Sequence, residues 1–499
     1  MQAYEIDSFY RKPPKIQKLL SKFDNLIRAG DKDGAAEVKD KIAEYVGIVY
    51  TTSSKKVGKN VVQVPVTEFD EVVFSSYLHS AFTSITVGES IAFYNYSSHR
   101  YEFLNDNVYL SFFKEILDSI DAEVWNPRRE KSFAVRFQRD IKTKLDRYEV
   151  PEGKVVFTNG ILDVRDMSFQ AGDHPEVITF HCTGYDFPIQ DTPYNCPNFL
   201  KFVWSIFEDK QLISILQEEY GYVLAIGINK SEKLFIWDGG GRNGKSINQS
   251  IIECMCGSEN VGSVSLSQIL SRFGPHAVYN KTVNFCAEND NVVYQSGFIK
   301  TVTGQDRVYV DVKNKEGYEA KIIAKMFIVT NGIFFNDRSR GLSERILALP
   351  YDFTFVPSPK KNTNERPIDV DLMAKLEPEI PQITLWALEG LQRLMKNRWQ
   401  FTSSPKAEAL KRKILQDSNP VLLFFDNCCT HAPGQHIRMS EAYTLFKDFA
   451  TDNGVSVGAI VSANKFRDSF GSILEEHGMS KYPKRINGND CYANITISI

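Results

Sequence analysis

The hydrophobic positions first predict a pair of helices at the start of the chain. Apolar residues recur at helical spacing over residues 15–29 and again over residues 35–46, with Gly30 between the two runs. This spacing predicts a helical hairpin over residues 1–50. The polar stretch TTSSKKVGKN comes next and predicts a basic linker, which we extend over residues 51–69.

Short strand-forming runs then alternate with helical ones, which predicts an α+β domain over residues 70–195. The segments IAFYNYSSHRYEFL and VVFTNGILDV each predict a hairpin, because a tight turn joins two apolar runs in both. From residue 197 to residue 226 the apolar spacing is helical again. A clean buried strand, KLFIWDG, follows that helical stretch.

The strongest chemical signal is a strand, a glycine-rich loop and a helix in direct succession. The sequence GGGRNGKS fits the phosphate-loop pattern GxxxxGK[ST] without a gap, and a helix with regularly spaced isoleucines follows it. Glycines let backbone N–H groups surround phosphate oxygens, and the positive end of the helix faces the same anion. We therefore expect ATP and Mg²⁺ at this loop, with Lys245 at the β- and γ-phosphates and Ser246 as a Mg²⁺ ligand. The predicted nucleotide-binding residues are Gly239, Gly240, Gly241, Arg242, Asn243, Gly244, Lys245 and Ser246.

Polar residues follow two later apolar strands. The strand over residues 282–287 runs into Glu288 and Asp290, of which one could hold Mg²⁺ and the other could orient the attacking water. The strand over residues 325–330 ends at Asn331, whose amide would face the ligand crevice of a parallel sheet. A solvated turn is the alternative for each, but their order after the phosphate loop favours an ATP-hydrolysing site.

Arg345 stands just before a fourth apolar strand, over residues 346–350. Its guanidinium could reach the γ-phosphate held by a neighbouring subunit and stabilise the charge of the transition state. A surface salt bridge is the alternative.

Between the acidic strand and Asn331, the alternation of VYVDV and the turn at residues 314–317 predict an exposed hairpin. Lys313 and Lys315 lie at its tip. They are either DNA-phosphate contacts or ordinary solvated lysines.

Residues 417–499 predict a winged-helix domain, with three helices and a two-stranded wing. Lys465 and Arg467 would lie near the start of its third helix, which such domains place in the major groove of DNA. Acidic residues nearly balance these cations, so a protein–protein role is a serious alternative.

Composition limits where nucleic acid could bind. The formal net charge of -3 gives no overall attraction to DNA, so any contact must come from local basic clusters. The eight cysteines show no CxxC spacing, which predicts reduced thiols in an intracellular protein. No signal peptide and no membrane-spanning run is evident, so we expect a soluble cytoplasmic protein without membrane contact.

The motifs GGGRNGKS, AENDN, IVTN and GLSERILALPYDF resemble, in order and spacing, those of superfamily 3 helicases. They are most similar to the replicative primase-helicase branch of satellite phages, plasmids, bacterial mobile islands and poxviruses. The resemblance implies an α/β fold, with an AAA+ core over residues 196–355 and a helical segment over residues 356–416. It also implies a homo-hexameric ring that moves on single-stranded and forked DNA, 3′ to 5′, to replicate a mobile element.

By motif match, the resemblance assigns roles to individual residues. The catalytic set comprises Lys245, Glu288, Asp290, Asn331 and Arg345. Ser246 and Glu288 would hold Mg²⁺. In this family the hairpin that carries Lys313 and Lys315 projects into the channel of the ring.

Two other functions stay open. A P-loop kinase would need a pocket for an acceptor substrate, and its ATP turnover would not respond to DNA. An ATP-switched origin-binding initiator or loader would bind DNA without unwinding it. We expect a helicase without a primase domain in a bacterial host, with origin DNA and other replication proteins as further partners.

Overall fold

The computed structural model describes residues 4–57, 60–189, 194–269, 271–287, 293–294, 296–313, 316–335, 340–417, 420–452 and 460–498. The chain forms two compact units. The first comprises Met1–Pro151, Val156–Leu162 and Ser168–Phe187, and the second comprises Glu152–Val155, Asp163–Met167 and Pro188–Ile499. Mixed helices and sheets confirm the α/β class. No helix in the described part of the chain is long and apolar enough to cross a membrane.

The N-terminal elements pack around an aromatic core. Phe74, Phe113 and Phe133 are buried at its centre, and Ile16 and Ala43 of the first two helices pack on the same cluster. The two helices predicted over residues 1–50 are present, and they bury their apolar faces on this shared core. In chain order the elements are α1 (Pro14–Arg28), α2 (Lys32–Tyr45), β1 (Ile48–Val57), β2 (Asn60–Phe69), α3 (Glu71–Ala81), β3 (Ser84–Val87), β4 (Ser90–Asn95), β5 (Arg100–Phe103), α4 (Asp106–Asp121), α5 (Pro127–Asp140), β6 (Lys144–Leu145), β7 (Lys154–Phe157), β8 (Gly160–Asp163) and β9 (Ser168–Ala171).

The predicted linker over residues 51–69 is instead a two-stranded antiparallel ribbon. Strands β1 and β2 pair from Ile48 opposite Phe69 to Val57 opposite Asn60. Threonines and valines, which favour strands, occur on both sides and outweigh the polar composition that suggested a linker. The predicted hairpin of β4 and β5 is confirmed as an antiparallel pair, and β7 and β8 are neighbours in a second small sheet.

A five-stranded parallel sheet forms the centre of the second unit. Its order is β11-β12-β16-β10-β18, so the strand before the phosphate loop, β10, lies between β16 and β18. The apolar strands expected at these places are confirmed. The elements that build the sheet and its connections are α6 (Pro197–Phe207), α7 (Lys210–Leu224), β10 (Leu234–Asp238), α8 (Lys245–Cys256), β11 (Val261–Gly262), α9 (Leu266–Ile269), α10 (Gly274–Val278), β12 (Val283–Ala287), β13 (Val293–Tyr294), α11 (Ser296–Thr303), β14 (Arg307–Val310), β15 (Tyr318–Lys321), β16 (Lys325–Thr330), β17 (Phe334–Phe335), α12 (Arg340–Arg345) and β18 (Ile346–Pro350).

Helices and a small sheet follow the parallel sheet. The helices expected in the C-terminal segment are present, and an antiparallel sheet of order β21-β23-β22 accompanies them. Strand β21 was not expected, since CTHAPGQHIR contains proline and glycine. The elements are β19 (Thr354–Val356), β20 (Glu365–Pro367), α13 (Leu372–Leu376), α14 (Ile380–Lys396), α15 (Pro405–Asp417), α16 (Pro420–Cys428), β21 (Cys429–Arg438), α17 (Met439–Asp452), α18 (Ala463–Glu476), β22 (Lys484–Ile486) and β23 (Asn489–Ile497).

A buried lysine stands at the amino end of β16. The ammonium group of Lys325 donates to the carbonyl oxygen of Ile228 and lies 4.4 Å from the centre of the Tyr222 ring. Burial lowers the pKa of Lys325 from its usual 10.5 to about 7, against a smaller opposing effect of Glu152. Between these two pH values the unfolded chain holds a proton that the folded chain lacks. Stability therefore falls as the pH drops from 10.5 towards 7 and is level below 7.

Lys325→Met is expected to remove this pH dependence. We expect its free energy of unfolding at pH 7 to rise by on the order of 2 kcal/mol, since about 1.4 kcal/mol per pKa unit is recovered and the contacts of the ammonium are lost. Denaturant unfolding at several pH values would measure the effect, with exposed Lys321→Met as the control. An equally steep dependence in Lys325→Met and the wild type would contradict the assignment.

Candidate nucleotide site

Two glycines of the phosphate loop have backbone conformations or close contacts that a side chain would disturb. Gly239 has a φ of 154°, and a Cβ there would lie 2.3 Å from the carbonyl oxygen of Tyr351. Gly244 has a φ of 90°, in the region that favours glycine. The loop is also held by hydrogen bonds to two other segments. Gly239 N–H donates to Thr330 O at the end of the neighbouring parallel strand at 3.2 Å, and Phe355 N–H donates to Arg242 O at 2.7 Å.

Lys245 and Asn331 lie together at the carboxyl edge of the parallel sheet. The ammonium group of Lys245 donates to Thr330 O at 2.8 Å and to the Asn331 side-chain oxygen at 3.3 Å. It also donates to the carbonyl oxygen of Gly239. The structure thus brings the loop lysine within hydrogen-bonding distance of the amide expected to sense phosphate.

Helix α8 begins at Lys245, so Ser246 lies in its first turn. A buried polar network fixes this end of the helix. Tyr220 donates to the Asn248 side-chain oxygen at 2.6 Å, and the Asn248 amide donates to the Tyr351 hydroxyl at 3.2 Å. Burial raises the pKa of both tyrosines well above the usual value, which keeps the two hydroxyl groups protonated.

A second buried group supports the strand beneath the loop. Glu219 is fully buried and accepts a hydrogen bond of 2.8 Å from the Trp237 indole nitrogen. Burial raises the pKa of this carboxyl well above its usual value. A protonated carboxyl can stand beneath the loop without adding a charge that would repel phosphate.

A cavity of about 740 Å³ opens beside the loop. Apolar side chains of Phe202, Phe355 and Ile368 line one part of it, and cations such as Lys201 and Arg242 line another. The sequence did not predict this apolar wall, because its residues come from α6, from β19 and from the segment after β20. A cavity with apolar and cationic walls suits a nucleoside base and its phosphates.

Ser246 and Glu288 were expected to hold Mg²⁺. Ser246 lies at the start of α8, as expected, whereas Glu288 and Asp290 lie outside the described residues. Strand β12, which precedes these acids in sequence, pairs in parallel with β16 up to Ala287 opposite Val329. The loop glycines and the Ser246 hydroxyl fit a Mg²⁺–nucleotide complex. Among the described residues, no group of three or more acids, histidines and cysteines could hold a metal ion.

Arg345 lies at the opposite edge of the sheet from the loop of its own chain. It ends α12 directly before β18, whose first residue Ile346 pairs with Leu234 at the start of β10. Its guanidinium is 2.7 Å from the Glu232 carboxylate and also donates to the Thr303 hydroxyl at 3.0 Å. The guanidinium is thus held in an ion pair within its own chain, which is the alternative that the sequence left open for Arg345.

The predicted hairpin is confirmed as the antiparallel pair of β14 and β15. Lys313 is exposed in the turn, and Lys315 lies outside the described residues. Tyr318, the first residue of β15, packs edge-on against Tyr279 at 5.5 Å between ring centres. Tyr309 is the more exposed aromatic residue, at 61%, and was overlooked in the sequence.

The cations expected on the third C-terminal helix are exposed. Lys465 and Arg467 lie in the first turns of α18, and Arg467 is 3.3 Å from the carboxylate of Asp468. None of the eight cysteines, all of which lie among the described residues, forms a disulfide.

Two family models match separate parts of the chain. Residues 237–345 match a family of unknown function (DUF5906), and residues 416–498 match the family described as poxvirus D5 protein-like. The first match contains the phosphate loop and Arg345, and the second contains α16 to β23.

Similar proteins come from viruses. The chain is 21% identical over 310 residues to a protein named "Putative helicase 022R" of Frog virus 3 (isolate Goorha), which is 58% of this chain and 31% of that protein. It is 27% identical over 231 residues to "Putative helicase 184R" of Invertebrate iridescent virus 6, which is 43% of this chain and 23% of that protein. The chain thus spans less than a third of the length of these relatives.

Solved structures of the NrS-1 C-terminal region are also similar. An apo structure of this region in the A form gives a TM-score of 0.46 at 12% identity, over 83% of this chain and 86% of that one. A second apo structure, of residues 305–718, gives 0.43 at 12% identity, over 84% and 97%.

Proposed function

We propose that this protein is an ATP-dependent DNA helicase that works as a homo-hexameric ring and moves 3′ to 5′ on single-stranded DNA to replicate a mobile genetic element. The observation that carries the proposal is the contact between Lys245 and Asn331 at the carboxyl edge of the parallel sheet. The names of the viral relatives and the match to the poxvirus D5 protein-like family support a helicase over another P-loop enzyme.

In this proposal, the loop residues bind ATP and stabilise the charge that develops as its terminal phosphate bond breaks. Backbone N–H groups of the loop and the first turn of α8 would surround the phosphates, with Lys245 at the β- and γ-oxygens. Asn331 would hold the γ-phosphate or the attacking water, and Glu288 or Asp290 would orient that water. Bound Mg²⁺, held by Ser246 and Glu288, would neutralise charge on the phosphate oxygens.

Strand displacement on forked DNA tests the proposal. Wild type is expected to open a fork with a 3′ tail and to leave a fork with only a 5′ tail closed, while Lys245→Ala opens neither. If wild type binds forks and hydrolyses ATP without opening them, the ATP-switched initiator or loader is the better account.

Arg345→Ala is expected to bind ATP and to lose turnover by on the order of a thousandfold, since an arginine supplied to the γ-phosphate contributes that much or more in related chemistry. Because Arg345 lies at the edge of the sheet away from its own phosphate loop, a mixture of two variants can test whether it acts on a neighbouring subunit. Mixing Arg345→Ala with Lys245→Ala would place an intact Arg345 beside an intact loop at some subunit interfaces, and turnover is expected to return in part.

Exposed Arg412→Ala on α15 is the matched control for this experiment. Turnover by Arg345→Ala at the wild-type rate would remove its catalytic role. A mixture that stays inactive although both variants assemble would show that Arg345 does not act across an interface.

A further inference from the structure

Helix α5 of the first unit has one buried and one cationic face. Asn126 caps its start by accepting hydrogen bonds from the N–H groups of Arg128 and Arg129. Phe133 and Phe137 are completely buried in the aromatic core and anchor the helix. The opposite face exposes four cations at helical spacing: Arg128, Lys131, Arg136 and Arg139.

Carboxylates offset part of this positive charge. Glu71 of α3 accepts a hydrogen bond from Ser132, which lies among these cations on α5. Arg136 is 3.4 Å from the carboxylate of Asp140. Glu130, on the inner side of the helix, accepts a hydrogen bond from the Trp125 indole at 2.7 Å. Within the part of the chain that the structure describes, Arg128, Lys131 and Arg139 form no ion pair.

These cations line a shallow groove of about 590 Å³. From Arg128 to Arg139 the helix rises by about 16 Å, at about 1.5 Å per residue. A DNA duplex presents about one negative charge per 1.7 Å along its axis, so a row of this length faces several phosphates. The chain as a whole carries a net charge of -3, which makes this row a local feature rather than a general excess.

We propose that the cationic face of α5 binds the phosphate backbone of duplex DNA. This site goes beyond the proposed motor, because every residue in it belongs to the first unit. The chemistry of the face favours duplex over single-stranded DNA, since none of the residues lining the groove is aromatic and could stack on bases. It also favours DNA over a protein, since Val135 is the apolar residue that lines the groove and protein interfaces have a larger apolar centre.

The test is binding of the full-length chain to a short blunt DNA duplex, without nucleotide, followed by fluorescence anisotropy over a range of salt concentrations. For the triple variant Arg128→Gln, Lys131→Gln and Arg139→Gln we expect about tenfold weaker binding. We also expect the slope of log affinity against log salt to become shallower by about three, since each lost phosphate contact removes roughly one.

Two further variants make the test specific. Lys18→Gln, Lys22→Gln and Arg28→Gln on α1 change the charge of the same unit equally and are expected to bind almost like wild type. Arg128→Lys with Arg139→Lys keeps the charge and is expected to keep the salt slope. Thermal unfolding verifies that each variant is folded.

The inference would be overturned if the α5 variant bound the duplex as tightly as wild type, or if the α1 variant lost as much duplex affinity as the α5 variant. It would also be overturned if the α5 variant lost binding to an acidic peptide and still bound DNA. Measuring ATP turnover without DNA distinguishes a failure of this inference from a failure of the proposed helicase function. If turnover is absent but the α5 variant still weakens duplex binding, the proposed function fails and this inference stands.

Discussion

Replacing Lys245 with alanine is expected to lower ATP turnover by roughly 10²–10³-fold, which is the usual effect of removing one preorganised donor to developing charge. The ammonium group lies at the carboxyl edge of the sheet, between Thr330 O and the Asn331 amide. Lys245 is the first residue of α8 and contacts Thr330 at the end of β16. Arg242, the other cation of the loop, lies before the helix begins. Phosphate release would measure turnover, and a fluorescent ATP analogue would measure binding.

Lys210→Ala, at the exposed first residue of α7, is the matched control and is expected to turn over ATP at the wild-type rate. Thermal unfolding would confirm that both variants are folded. Turnover by Lys245→Ala within a few-fold of wild type would place phosphate chemistry elsewhere in the chain.

The second large effect is expected at the hairpin. Changing Lys313 and Lys315 to alanine is expected to reduce strand displacement at least tenfold and to leave ATP turnover without DNA unchanged. Each subunit of a ring would contribute the same phosphate contacts to the strand, so the change removes those contacts from every subunit at once. Lys313 is exposed in the turn between β14 and β15 and does not line the nucleotide cavity.

The same hairpin supplies the control. Lys321 is exposed at the other end of β15, where it pairs with Arg307, and Lys321→Ala is expected to retain displacement. Displacement at the wild-type rate by the Lys313 and Lys315 variant would exclude the hairpin as a DNA contact. Loss of DNA-free turnover in that variant would indicate damage to the site rather than to DNA binding.

The sequence predicted the parts of the site that depend on neighbouring residues. The strand Leu234–Asp238, the loop and helix α8 follow one another directly, so local pattern and glycine content identify them. Asn331 was identified because it ends an apolar strand, and parallel strands bring such ends to one edge. The structure places it 3.3 Å from the Lys245 ammonium.

Features formed by distant segments could not be predicted in this way. The cavity wall combines Phe202 of α6 with Ile368, and no local pattern links the two. Likewise, the ion pair between Arg345 and Glu232 joins residues far apart in sequence. Only the folded sheet reveals that Arg345 lies at the edge away from its own loop.

The β1–β2 ribbon was missed for a different reason. Its polar, lysine-containing half has the composition of a linker, and pairing of its backbone depends on the partner strand rather than on burial. Helices α1 and α2 were predicted correctly, but the periodicity of one chain does not reveal which core a helix joins.

The proposed function requires that ATP cleavage at Lys245 is coupled to the binding of a DNA strand within a multi-subunit ring. The most direct measurement follows ATP turnover and particle mass together as single-stranded DNA is added to the purified protein. We predict assembly into a species of six subunits and turnover that rises with DNA until it saturates. A protein that stays monomeric with nucleotide and DNA, and hydrolyses ATP at a rate independent of DNA, would contradict the claim.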